Sequence, residues 1–112
     1  MTATARTPAS APLQVQAPAW FISDLHLTAD RPALTAVLER YLTGAARTAA
    51  DLYILGDLFE YWAGDDDLAT PFNARIAAAI RALADSGTAV FFMTGNRDLL
   101  AGPAFAAAIG AT

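Results

Sequence analysis

The 112-residue sequence has no cysteine, no lysine and a single histidine, His26. Without cysteine there is no disulfide scaffold and no zinc–thiolate site. Without lysine, the basic side chains are seven arginines set against eleven acidic residues, for a formal net charge of −4. A non-specific nucleic-acid binder carries the opposite balance, so no nucleic acid is expected as a partner. Charged types make up only 16% of the chain and apolar types 55%, which excludes a disordered chain poor in large apolar residues. Alanine supplies 28 of the 62 apolar positions, and the 34 larger ones suffice for the core of one small domain. A long hydrophobic run is also missing. A membrane-spanning helix needs about 20 mostly apolar residues, and Asp or Arg interrupts every candidate. The N-terminus holds one Arg among Ala, Thr, Pro and Ser, without a compact apolar segment, so no secretory signal is expected. The chain reads as cytosolic, with contact to a membrane surface left open.

Residues 1–18 are rich in Ala, Thr and Pro and show no periodicity, which predicts a flexible tail ahead of a domain over 19–112. Three apolar runs follow: Trp20-Phe21-Ile22, Leu52-Tyr53-Ile54-Leu55 and Val90-Phe91-Phe92-Met93. They do not alternate with polar residues, as expected of strands buried on both faces of a parallel sheet. Two helical stripes lie between them. Leu34, Val37, Leu38, Tyr41 and Leu42 share one face, with Asp30 as the expected N-cap and Pro32 in the first turn. Phe72, Ile76, Ala79, Ile80 and Leu83 share another, with Gly87 just past the end. A third helix is expected from Pro103 to near Gly110. Strand and helix thus alternate, βαβαβα, which predicts an α/β fold with a parallel sheet and right-handed crossovers.

Ligands of such sheets bind beyond the carboxyl ends of the strands. Those positions hold Ser23-Asp24-Leu25-His26, Gly56-Asp57-Leu58-Phe59-Glu60 and Thr94-Gly95-Asn96-Arg97-Asp98. Asp24 and His26 are two apart, and in extended backbone residues i and i+2 point the same way. Asp57 has two carboxylate oxygens with which to bridge two cations, and Asn96 offers a neutral amide oxygen. Gly56 and Gly95 permit positive φ and close backbone approach. Mixed oxygen and nitrogen donors without sulfur suit Mn²⁺, Fe²⁺, Zn²⁺ or Mg²⁺. Two such ions would activate water and stabilise the oxygens of a phosphoryl displacement. Without metal, Asp24, Asp57 and Asp98 would repel a phosphate.

Each cluster has a plainer reading. An Asp after a strand often caps a helix, a lone His is often a packing or surface residue, and Gly95-Asn96 can be a simple turn. Three such clusters at three successive strand ends favour the metal. Asp65-Asp66-Asp67 reads as a solvated loop, and Tyr61 and Trp62 as packing residues.

Asp24-x-His26, Gly56-Asp57 and Gly95-Asn96-Arg97-Asp98 together resemble the calcineurin-like metallophosphoesterase superfamily. The wording around them is more specific. Ile22 to Leu27, Tyr53 to Trp62, Gly64-Asp65-Asp66 and Gly95 to Leu100 are similar to the branch that hydrolyses UDP-2,3-diacylglucosamine in lipid A biosynthesis, where Arg97 replaces a more common His. The resemblance implies that Asp24 and His26 bind one metal, Asp57 bridges two, and Asn96 binds the second. It implies that Asn96 and Arg97 touch substrate and that Arg97 and Asp98 serve catalysis, Asp98 by orienting the site. It further implies two Mn²⁺ ions, a UDP-sugar lipid as substrate, UMP and 2,3-diacylglucosamine 1-phosphate as products, and peripheral attachment to the cytoplasmic side of the bacterial inner membrane.

The superfamily's α/β/β/α sandwich has a second sheet and further histidine ligands that find no counterpart here. The expectation is therefore the amino-terminal half of such a sandwich. It would have one sheet face open to water and little activity alone. Other metallophosphoesterases, such as a nucleotide phosphodiesterase or a phosphatase, and a catalytically silent fragment are the alternatives. A phosphate-accepting receiver domain would need a lysine.

Overall fold

The computed structural model describes residues 18–112, so the tail expected over 1–18 lies outside the described residues except for Pro18. Pro18 is not loose: its carbonyl accepts the Ala50 N–H at 2.9 Å, at the head of the sheet. The elements run β1 (Ala19–Ile22), α1 (Pro32–Thr43), β2 (Asp51–Ile54), α2 (Pro71–Asp85), β3 (Ala89–Phe92) and α3 (Pro103–Ala108), with short 3₁₀ turns at Ala45–Thr48 and Asp65–Ala69. The three strands are parallel in the order β1-β2-β3, with Ala19 opposite Asp51 and Asp51 opposite Ala89. The expected α/β alternation is the one observed.

Strand order and crossover hand together decide where the helices go. Two successive right-handed crossovers that step in the same direction place both helices on one face of the sheet. The core lies on that side. Leu52, Ile54 and Val90 of the sheet are fully buried, as are Ile76, Ile80 and Leu83 of α2 and Phe105 of α3. Burial of each such side chain contributes about 1.5–3 kcal/mol.

The opposite face carries an aromatic row. Phe21 stacks on Tyr53 and Tyr53 on Phe91, with ring centroids 5.0 and 4.7 Å apart. Only β2 is buried along its whole length. Phe21, at the sheet's edge, is 55% exposed, and Leu55 and Met93 on the same side are also exposed. Burial on both faces, which the apolar runs suggest, therefore holds for the central strand alone, and the open face is the one expected of half a sandwich. An edge strand has one neighbour, and among the described residues the helices pack on the other face.

Two helix details also differ from expectation. The N-cap of α1 is Arg31, without a side-chain cap, because Asp30 belongs to the turn closed by Arg31 N–H to the Thr28 carbonyl (3.1 Å). The expected stripe of α1 holds at Leu38 and Leu42, with Leu34 and Tyr41 half-buried against the core, but Val37 is exposed and Thr35 is buried in its place. Pro32 begins α1, and Gly87 follows the end of α2 with φ of 116°, both as expected.

Candidate metal centre

Beyond their last paired residues, β1 and β2 stay side by side. Leu55 N–H donates to the Ile22 carbonyl (2.8 Å), Asp24 N–H to Gly56 (3.2 Å), His26 N–H to Asp57 (3.0 Å) and Leu27 N–H to Leu58 (2.9 Å). This lengthened pairing brings the first two polar clusters to one rim. It does so through backbone that is not extended. Asp24, His26 and Asp57 have φ of 58°, 50° and 52°, and no other non-glycine described residue has positive φ. The convergence of Asp24 and His26 was expected from strand alternation, and that reason is corrected: left-handed turns at the residues themselves aim the side chains. Such backbone costs about 1–3 kcal/mol per residue and clusters at functional sites. Asp and His are among the residues that tolerate it best.

The third cluster is held by Asp98, which is fully buried. Its Oδ1 accepts the backbone N–H of Gly95 (2.7 Å) and of Asp57 (3.1 Å), and its Oδ2 that of Leu58 (2.7 Å). One carboxylate thereby ties the loop after β3 to the loop after β2. Arg97 N–H returns the tie by donating to Asp57 Oδ1 at 2.8 Å. The two glycines make the approach possible. A Cβ on Gly56 would lie 2.7 Å from Gly95 N, and one on Gly95 would lie 2.6 Å from Asp57 N and strike the Asp57 carboxylate. Positive φ holds for Gly56 alone of the pair, at 99°.

The result is a cradle of Asp24, His26 and Asp57, whose donor atoms all lie within 4.8 Å of one another. His26 Nε2 is 3.9 Å from Asp24 Oδ1 and 4.0 Å from Asp57 Oδ2. Donors bound at about 2.0–2.2 Å to one ion sit up to about 4.2 Å apart, so the two Nε2 distances stand at the outer end of that range, and a divalent cation would draw the three donors inward. Asn96 is exposed on the same rim, between Gly95 and Arg97, which both lie against Asp57. Arg97 is exposed, with Nε 4.0 Å from Glu60 Oε1.

Two residues in this region play parts that their sequence context hid. Glu60 Oε1 lies 2.8 Å from His26 Nδ1. The only advance signal was its position, three residues past Asp57 in the cluster after β2. Asp65 was expected in a solvated loop and is instead the cap of α3. Its Oδ1 accepts Gly102 N–H (2.9 Å), and its Oδ2 accepts those of Ala104 (3.0 Å) and Phe105 (3.2 Å). Burial acts to raise the Asp65 pKa, but these hydrogen bonds and one from the Trp62 indole outweigh it and hold the carboxyl below its usual range. Asp67 is also engaged, accepting Ala63 N–H at 2.7 Å, and Asp66 is exposed. Trp62 packs as expected, stacked on Phe59 at 4.8 Å. Tyr61 does not, being 73% exposed at the lip of a 220 Å³ cleft lined also by Thr28, Glu60, Phe72 and Asn73.

A one-sided parallel α/β layer with a carboxylate–imidazole cradle at its strand ends is the architecture of half a metallophosphoesterase fold. No family model matches the chain. Its curated relatives are specific: proteins named UDP-2,3-diacylglucosamine hydrolase from Ralstonia nicotianae (52% identical over 90% of this chain), Escherichia coli O81 (55% over 82%) and Aromatoleum aromaticum (56% over 79%). The chain is thus a homologue of hydrolases of that name. It spans 38%, 38% and 36% of the length of these three relatives, respectively.

Proposed function

We propose that this chain carries the metal-binding half of an enzyme that hydrolyses the pyrophosphate bond of UDP-2,3-diacylglucosamine, giving UMP and 2,3-diacylglucosamine 1-phosphate for lipid A biosynthesis. The observation that carries the reading is the convergence of Asp24, His26 and Asp57 on one point, in a chain more than half identical to hydrolases of that name. Asp24 and His26 would hold one ion, Asp57 would serve both that ion and a second, and Asn96 would serve the second, with Mn²⁺ as the metal. Bound ions supply Lewis acidity and an activated water. Arg97 reaches from the loop after β3 and binds phosphate oxygens with its planar, permanently charged fork. Asp98 touches no substrate and acts by holding Asp57 and the Gly95 turn in place. The enzyme works at the cytoplasmic face of the inner membrane. No helix among the described residues is long and apolar enough to cross a membrane. Leu99 and Leu100, 66% and 61% exposed beside Arg97, offer the rim an apolar contact for acyl chains.

The test is a chimera in which residues 19–112 replace the matching segment of the Escherichia coli relative. With Mn²⁺ it should release UMP from UDP-2,3-diacylglucosamine. Asp57→Ala should reduce turnover about 100-fold or more, the scale of losing one preorganised electrostatic element, with the circular dichroism spectrum unchanged. A folded chimera that cleaves bis(p-nitrophenyl) phosphate but not the lipid substrate would assign the site to another phosphodiesterase.

A further inference from the structure

We infer that Glu60 is a positioning residue for the metal centre: its carboxylate holds the Nδ1 hydrogen of His26 and so reserves Nε2 for the cation. This rests on the metal reading above and adds a residue that the reading does not use. The His26 Nδ1 to Glu60 Oε1 distance is 2.8 Å. An ionised carboxylate only accepts hydrogen bonds, so Nδ1 is the donor. In the neutral ring the lone pair then lies on Nε2, the atom placed 3.9 Å from Asp24 and 4.0 Å from Asp57. Metal-binding histidines generally have the opposite nitrogen held in this way, which sets both tautomer and ring orientation.

The backbone prepares the contact. Leu27 and Phe59 form an isolated parallel bridge, and both are buried. Glu60 N–H donates to the Leu27 carbonyl at 2.9 Å. His26 and Glu60 flank that bridge, so core packing sets the relative position of their backbones, and the two partly exposed side chains complete the contact. From the other side, Arg97 Nε lies 4.0 Å from the same Glu60 oxygen. Glu60 therefore links a cation ligand to the arginine assigned to phosphate.

His26 is the only histidine, so one imidazole contributes to the ¹⁵N spectrum and its tautomer is read without assignment. The 112-residue chain is prepared as wild type, Glu60→Ala and Glu60→Gln. Metal-free ¹⁵N spectra are recorded at alkaline pH, and Mn²⁺ binding is followed by the electron paramagnetic resonance of the free ion. Wild type should show hydrogen on Nδ1 alone. Glu60→Ala should show a mixture of tautomers and bind Mn²⁺ about 10–100-fold more weakly. Glu60→Gln keeps an accepting oxygen and should restore both the tautomer and most of the affinity. A single unchanged tautomer with unchanged affinity in Glu60→Ala would overturn the role of Glu60 alone. No Mn²⁺ binding by wild type would overturn the metal reading, and this inference with it.

Discussion

At the scale of single residues, the site is assembled from strained backbone. The three donors of the cradle share left-handed φ values, in a protein where one or two kcal/mol is a large part of total stability. Asp24 also places a second carboxylate close to Asp57. Both effects oppose folding of the metal-free chain and would be offset by a bound cation. Asp24→Gly should therefore raise metal-free stability by about 1 kcal/mol, read from urea unfolding, while Mn²⁺ affinity falls. A loss of stability without metal would contradict the strain argument. These three residues stood out as candidates from their place after β1 and β2. Their conformation did not, because a left-handed turn at Asp or His leaves no mark in composition. The tie made by Asp98 to the loop after β2 was equally hidden, since the N–H groups of Asp57 and Leu58 lie about 40 positions away in the chain, while that of Gly95 is only three away.

At the scale of elements, helix and strand periodicity predicted every strand and helix within a few residues. The N-cap of α1 was lost to the local turn between Thr28 and Arg31, and Asp65 was misread because a tertiary partner took it out of its local role. α3 is only six residues long and starts without a side-chain cap of its own; Asp65, some 37 residues earlier, supplies one. Replacing such a cap costs about 1 kcal/mol, so Asp65→Ala should lower the unfolding free energy, read from urea unfolding, by that amount. The pH dependence follows from the depressed pKa. The Asp65 contribution is fully present above the unfolded-state value of about 3.9 and is lost as pH falls through the lower folded-state value. The stability gap between wild type and Asp65→Asn should therefore be constant from pH 7 to about 5 and shrink below about pH 4. A gap that does not shrink at all on acidification would remove the carboxylate from this role. Between the longer helices, Arg75 of α2 donates two hydrogen bonds to Glu39 of α1, at 2.7 and 2.6 Å, and by these bonds holds the Glu39 carboxyl below its usual pKa. That pair is exposed, and exposed pairs contribute about 0–1 kcal/mol, so α1 and α2 are joined chiefly by apolar burial.

At the scale of the whole molecule, the sheet has one covered and one aromatic face, and the cation cradle sits at the strand ends. Binding to the folded state alone stabilises by mass action. Mn²⁺ at 100 times its dissociation constant should add about 2.7 kcal/mol to the unfolding free energy, and a chelator should reverse the rise in melting temperature. Asp57→Ala should lose that rise. A metal-induced shift of the same size in Asp57→Ala would place the ion elsewhere.

What the sequence determined by itself was the kind of molecule: a parallel α/β layer with clusters of candidate oxygen and nitrogen donors, without sulfur, after β1, β2 and β3. Those properties follow from local periodicity and from the chemistry of side-chain types, which each segment carries alone. Only the tertiary structure decided how the donors are aimed, which carboxylate caps α3, that Glu60 holds His26, and that Tyr61 stands in solvent rather than in the core. These depend on contacts between segments dozens of residues apart. Backbone hydrogen bonds across the sheet and the packing of its covered face set those distances, and no stretch of sequence read singly contains them.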